Sequence, residues 1–306
     1  KVLSVRALIV LAVVGLFAQL VDGSLGMAYG VTSSSLLLAA GIAPAAASAV
    51  VHLSEVGTTL VSGASHWRFG NVDWRIVGIM AVPGGVCAFI GATFLAGLDG
   101  DTAKPWVALL LLSLGVYVVW RFLRLAGRRP QFSGRLSPGF LVPLAAVAGT
   151  MDAVGGGGWG PVGTTSLLSS GRVEPRKVVG SIDTSEFLVA LGASLGFLLA
   201  LGSAGIDFGW VAALLIGGVI AAPIAAYIVR HLPARVLGVA AGGLIILTNV
   251  KTVLETTWVG LPKDSGTVWS IVAVLAVGWV SMVGAAVNAE RSARRAEALE
   301  QETVQA

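Results

Sequence analysis

Long apolar stretches recur along this chain with short polar gaps between them, and their lengths give the first reading. Residues 5–21 are apolar almost without interruption, and the run stops at Asp22-Gly-Ser-Leu-Gly-Met-Ala-Tyr-Gly30. A short stretch follows at 31–41, then longer ones at 45–64, 74–96 and 105–121. The polar segment 122–137, with Arg124, Arg128, Arg129 and Arg135, reads as a central linker. Beyond it the pattern starts again: 138–154, a stop at Gly155-Gly-Gly-Gly-Trp-Gly160, a short stretch at 161–171, and longer ones at 177–201, 208–230 and 235–250. A last apolar run, 268–288, has no counterpart in the first half. The tail 289–305 is charged and places Glu290 one helical turn before Arg294, which suits a solvated helix. The longer runs match the roughly 20 residues a helix needs to cross a bilayer, and the chain has room for about ten such segments.

Composition strengthens that reading. The chain is 56% hydrophobic and 12% charged, where a soluble domain carries about 25% charged residues. In lipid every backbone polar group must be satisfied internally, which favours helices here. The expected fold is therefore an all-α integral membrane protein. A pI of 9.6 raises nucleic acid as a partner, but the positive charges sit in short gaps between apolar runs, as the positive-inside rule describes. The expected partners are the bilayer and a small anionic substrate, with no nucleic acid; a homo-oligomer is compatible with this reading. The single cysteine, Cys87, excludes an intrachain disulfide, and no Cys/His cluster of zinc type occurs. No metal, cofactor or catalytic set is expected. The start reads as a first span and not as a cleavable leader.

The two halves match in order. Asp22 corresponds to Asp152, Gly26 to Gly156, Gly30 to Gly160, Leu37-Leu38 to Leu167-Leu168 and Gly41 to Gly171. After one inserted residue, Pro44 corresponds to Pro175, His52 to Asp183 and Ser54-Glu55 to Ser185-Glu186; further on, Asp73-Trp74 resembles Asp207-Phe208. This is an internal duplication. The expected organisation is a first membrane repeat at 1–121, the linker at 122–137, a second repeat at 138–251, a loop and extra helix at 252–288, and a charged tail at 289–306. With the linker cytoplasmic, alternation puts the His66/Arg68/Arg75 gap, 172–177, 230–235 and the tail on the same side. Asp99, Asp101, Asp207 and 251–264 fall opposite. Lys1 and Arg6 fall on the unfavoured side. The N-terminus is then outside and the C-terminus cytoplasmic, and the repeats are inverted, a common transporter construction.

The short stretches indicate where chemistry belongs. Eleven helical residues span only about 16 Å, half the hydrocarbon core, and each short stretch follows a Gly-rich break. Each break and its short helix are expected to form a re-entrant hairpin with its tip near the midplane, where irregular backbone is tolerated only against protein or a wet cavity. Helix N-termini at such tips suit a small anion. The candidate substrate-binding residues are Tyr29, Gly30, Thr32, Ser33 and Ser34 in one half, and Gly158, Trp159, Gly160, Thr164 and Thr165 in the other. Close helix packing is the competing explanation for the glycines. Ionisable groups within membrane segments mark function by default, so Asp22, His52, Glu55, Asp152, Asp183 and Glu186 are the coupling or gating candidates. Asp22 and Asp152 equally suit a second role, capping a broken helix.

Gln19-Leu-Val-Asp-Gly-Ser-Leu-Gly-Met-Ala-Tyr-Gly30, His52-Leu-Ser-Glu55 and Ser65-His-Trp-Arg-Phe-Gly-Asn-Val-Asp73 together resemble the TauE/SafE sulfite exporter family. The second half, with Gly-Gly-Gly-Trp-Gly-Pro161 and Ile220-Ala-Ala-Pro-Ile-Ala-Ala226, is similar. The resemblance covers about residues 8–250. It implies a bacterial or archaeal plasma-membrane carrier of small sulfur-containing or organic anions such as sulfite and sulfonates. The expectation is a secondary exporter working by alternating access, with proton coupling as an option and an anion channel as the alternative. An intramembrane enzyme is disfavoured: the Gly-x-Gly-Asp pattern of an aspartyl dyad and the His-Glu-x-x-His zinc motif are both absent, and Gly63-Ala-Ser-His66 lies at a helix end.

Overall fold

A computed structural model describes residues 5–124, 135–228 and 234–305. The first half contains α1 (Val5–Leu25), the short α2 (Tyr29–Ala39), and three long helices, α3 (Pro44–Arg68), α4 (Trp74–Ala96) and α5 (Gly100–Arg124). The second half repeats this order. It has α6 (Pro138–Gly155), a wide π-type turn at Trp159–Thr164 that runs into α7 (Thr165–Ser170), then α8 (Pro175–Leu201), α9 (Phe208–Ile228) and α10 (Ala234–Leu254). A final helix, α11 (Gly266–Gln305), follows. There is no strand among the described residues, and seven of their helices are long and apolar enough to cross a membrane. The fold is all-α and membrane-embedded.

The packing interleaves the halves. α3 and α8 cross at the centre, with α9 against α3 and α4 against α8. α1 packs on α9 as α6 packs on α4, and α5 packs on α10. Exchanging the halves maps each of these contacts onto another or onto itself. The outer faces of α1, α4 and α9 expose Phe17, Val82, Ile90, Phe94, Ile216 and Ile220, an apolar belt that only lipid solvates without cost. α3 is long enough to span but too polar to register as apolar, because Ser48, His52, Ser54, Glu55, Thr58, Thr59, Ser62 and His66 are buried along it. Those polar groups face protein, as groups at membrane depth must.

Backbone geometry repeats with the sequence. Gly26 and Gly156 have φ +68° and +67°, and Gly41 and Gly171 have +88° and +64°. Side chains bearing a Cβ avoid this left-handed region. α2 turns back along α1: Leu37, Ala40 and Ile42 line one cleft with Arg6, Val10 and Leu11, while Thr32 and Leu36 line another with Val13, Phe17 and Val21.

Several boundaries differ from expectation. α1 continues to Leu25, so Asp22 lies one turn before the break and not at it. α3 runs to Arg68, and His66 is fully buried within it; it is no part of a basic loop. α11 is one continuous helix through the charged tail. Of the expected linker, residues 125–134, with Arg128 and Arg129, lie outside the described residues, as does Arg230.

Candidate functional site

The two breaks meet. Each is organised by the aspartate one turn before it. Asp22 Oδ1 accepts the Ala28 N–H at 2.7 Å and the Tyr29 N–H at 3.3 Å. Asp152 Oδ1 accepts the Gly158 N–H at 2.6 Å and the Trp159 N–H at 2.9 Å. A carboxylate at a helix N-terminus satisfies donors that have no intrahelical partner and opposes the positive dipole end. In this conformation both aspartates are therefore caps.

Hydroxyls then join break to break. Ser34 Oγ donates to Gly156 O at 2.8 Å, and the matched Thr164 Oγ1 donates to the matched Gly26 O at 2.5 Å. Ser48 Oγ adds a bond to Ala153 O at 2.7 Å. Glycine is needed for this approach. A Cβ on Gly30 would lie 2.6 Å from Gly156 O and 2.8 Å from Glu55 Oε1, and one on Gly160 would lie 2.5 Å from Gly26 O.

The aromatic residues that follow the caps are buried anchors. Tyr29 OH bonds Ser54 Oγ at 3.0 Å, and Trp159 Nε1 donates to Ile182 O at 3.0 Å. Thr165 Oγ1 donates to Tyr117 OH at 2.9 Å. Thr32 sits at the edge of the cleft between α1 and α10. Ser33 Oγ is buried without a hydrogen-bond partner. Most of the hydroxyl-bearing candidates thus hold the breaks in place.

Behind the breaks stand two charged clusters. His52, Glu55 and Asp152 form one, and Asp22, Asp183 and Glu186 form the other; within each, one donor atom from each residue lies within 4.8 Å of the others, and every residue is buried. Exchange of the halves maps His52 to Asp183, Glu55 to Glu186 and Asp152 to Asp22. Each cluster takes its capping aspartate from the opposite half. His52 Nδ1 lies 2.8 Å from Glu55 Oε2, its Nε2 lies 3.2 Å from Asp152 O, and its ring stacks on Phe197 at 6.2 Å between centroids. Asp183 Oδ2 accepts from Ser62 Oγ and lies 3.4 Å from His66 Nε2. His66 Nδ1 faces Asn71 Nδ2 at 3.3 Å.

Gln19, Ser62, His66 and Asn71 were not singled out from sequence as site residues. A signal existed for Gln19: an amide in an apolar run, one turn before Asp22. Ser65, beside His66, donates to Val61 O at 2.8 Å and makes no nucleophile–base pair with the histidine.

At one end of the bundle a cavity of about 310 Å³ is lined by Arg75, Arg135, Arg172 and Lys177 together with Asp73 and Glu174. Asp73 caps α4 through the Arg75 and Ile76 N–H groups, and Glu174 pairs with Arg176 at 2.9 Å. The Glu174 charge is offset by Arg176, so four cations against the Asp73 carboxylate leave this vestibule net positive.

The profile described as sulfite exporter TauE/SafE matches residues 11–252. The chain is also similar to the "Probable membrane transporter protein YtnM" of Bacillus subtilis (strain 168), with 48% identity over 283 residues, 91% of this chain and 92% of that protein.

Proposed function

Because this chain belongs to the sulfite exporter TauE/SafE family and is a multi-pass membrane transporter, not an enzyme, we propose that it carries a small anion such as sulfite or an organosulfonate out of the cell by alternating access. The observation that carries this reading is the contact between the two breaks, made by matched hydroxyl–carbonyl bonds from opposite halves. Halves of opposite membrane orientation can open such a contact from one face and then from the other. The fold-back of α2 along α1 supports that orientation, as does the gathering of Arg75, Arg135, Arg172 and Lys177 at one end.

By the positive-inside rule that end is cytoplasmic, in a plasma membrane. Its vestibule concentrates anions at the mouth from which an exporter loads. The aspartate caps occupy the first N–H groups of each break, so the anion meets the remaining backbone of Gly30 and Gly160 and the Ser33 hydroxyl once the breaks part. The absence of Lys and Arg among the buried residues described suits a site that must also release its cargo. Proton coupling, where present, resides on the His52–Glu55 pair.

Sulfite flux in proteoliposomes tests this reading. Saturable, counterflow-stimulated flux is expected, reduced by Ser33→Ala, with its pH dependence flattened by Glu55→Gln. Non-saturating flux would make the protein a channel, and absence of sulfite and sulfonate flux would remove the cargo class.

A further inference from the structure

Only one of the two matched clusters carries a cation of its own. In the first, both His52 nitrogens face acceptors. The Asp152 carbonyl can only accept, so Nε2 donates, and the short Nδ1 contact holds a second proton between ring and Glu55. The imidazolium so held offsets the Glu55 carboxylate, which leaves Asp152 as the net charge of that cluster. In the second cluster Asp183 stands where His52 would be. The nearest imidazole, His66, turns Nδ1 toward the donor Nδ2 of Asn71, so Nδ1 accepts and the ring is neutral. Three carboxylates therefore converge, one oxygen of each lying within 4.8 Å of the other two, and no Lys or Arg is among the buried charged residues described. Such a set is prohibitively costly at membrane depth unless something positive joins it.

A second observation points to what joins. Gln19, one turn before Asp22 on α1, is fully buried, and both its amide atoms lack a hydrogen-bond partner. A Cβ on Gly23 would lie 3.5 Å from Gln19 Nε2 and 3.6 Å from Ser62 Oγ, the hydroxyl that bonds Asp183. Both groups flank Gly23, so the unpartnered amide lies on the side of α1 that meets the Ser62–Asp183 pair. Asp183 Oδ1 is also buried and unpartnered.

We propose that Asp22, Asp183 and Glu186, with the Gln19 side-chain carbonyl, form a binding site for one monovalent hard cation of sodium size. An all-oxygen donor set selects hard cations, and ligands on opposite sides of an ion with bonds of about 2.4 Å stand about 4.8 Å apart. One such ion together with one carboxyl proton leaves the three carboxylates at the same net charge as the imidazolium and two carboxylates of the matched cluster. The proposal rests on the carrier reading for its purpose, since an ion bridging α1 and α8 ties its own loading to the movement of the halves. It is independent of the cargo.

The experiment uses purified full-length protein in detergent without any anion substrate. Sodium chloride is titrated against choline chloride at constant ionic strength, following thermal unfolding and radiosodium binding. A saturable rise in Tm and saturable binding are expected, lost in Asp183→Asn, weakened about tenfold in Gln19→Leu and retained in Cys87→Ala. If Asp183→Asn does not fold, the Gln19→Leu shift decides. Equal responses to sodium and choline, a response to calcium but not sodium, or a response to pH alone would each overturn the sodium site. Because no cargo is present, a failed sulfite assay leaves this result standing, and sulfite flux without a sodium response sinks the cation site alone.

Discussion

The two charged clusters are one arrangement with the histidine moved. On α3, His52 bonds Glu55 and stacks on Phe197 of α8. On α8, the matched Asp183 faces His66 of α3, and in the Ser54–Ser185 register position 66 corresponds to position 197. Each cluster therefore has one imidazole against it, at the first of the two matched places in one and at the second in the other. What stays constant is the scaffold: the capping aspartate, the left-handed glycine four residues later and the glutamate on the central helix. What varies is the charge held against it. The alternating-access carrier proposed above needs halves alike enough to exchange conformations, and the matched caps and crossed hydroxyl bonds fit that need. The exchanged histidine makes the two positions chemically distinct.

The likeness of the scaffold breaks most severely at its glycines. Gly156→Ala combines a left-handed backbone with a methyl that would press on the Ser34 side chain. The expected destabilisation is about 3 kcal/mol, the sum of the conformational and overpacking costs. Gly171→Ala has the same sign of φ and nothing within 4 Å, so only the conformational cost of roughly 1–2 kcal/mol is expected. Thermal unfolding in detergent compares the two. Equal losses would mean that the contact between breaks contributes nothing.

The crossed bonds come next. Ser34→Ala and Thr164→Ala should each cost about 1 kcal/mol, and because the bonds are related by exchange of the halves, their effects on stability should be nearly equal. Their effects on transport should differ: the two hydroxyls come from opposite halves, so one variant should shift the population toward the inward-open form and the other toward the outward-open form. Accessibility of cysteines introduced on either side of the breaks to an impermeant thiol reagent, in a Cys87→Ala background, separates the outcomes. Identical labelling patterns would refute a gate at this contact.

Much of this scaffold was legible in the chain itself. Apolar run lengths located the helices, and the ordered matches from Asp22/Asp152 to Glu55/Glu186 predicted which residues share a geometry. The geometry of the caps was less legible, because Asp22 reaches forward from inside α1 and apolarity alone marked the helix end too early. The wide turn at 159–164 follows from Pro161, which lacks an N–H and cannot extend a regular helix; the matched position in the first half is Val31, and α2 there is regular. His66 was assigned to a loop because charge counting treats a histidine near a helix end as solvated. Burial against Asp183 depends on which helices cross, and that long-range fact is not written in local pattern.

The vestibule offers the smallest and cleanest contrast, because it lies at one end of the bundle while the matched clusters lie at its centre. Arg172 is exposed on its rim, with Lys177 in the first turn of α8. A rim charge alters how often an anion arrives and leaves its inner site unchanged, as long-range attraction is screened over about 10 Å at 0.1 M salt. Arg172→Gln should therefore lower sulfite flux two- to threefold, by our rough expectation, at subsaturating substrate and low ionic strength. The maximal rate should be unchanged, and the difference should vanish at high salt. Glu55→Gln should do the reverse, changing the pH dependence of the maximal rate with little response to salt. If Arg172→Gln lowered the maximal rate at every ionic strength, the vestibule would belong to the transport site itself, and the separation between an attracting mouth and a chemically selective centre would fail.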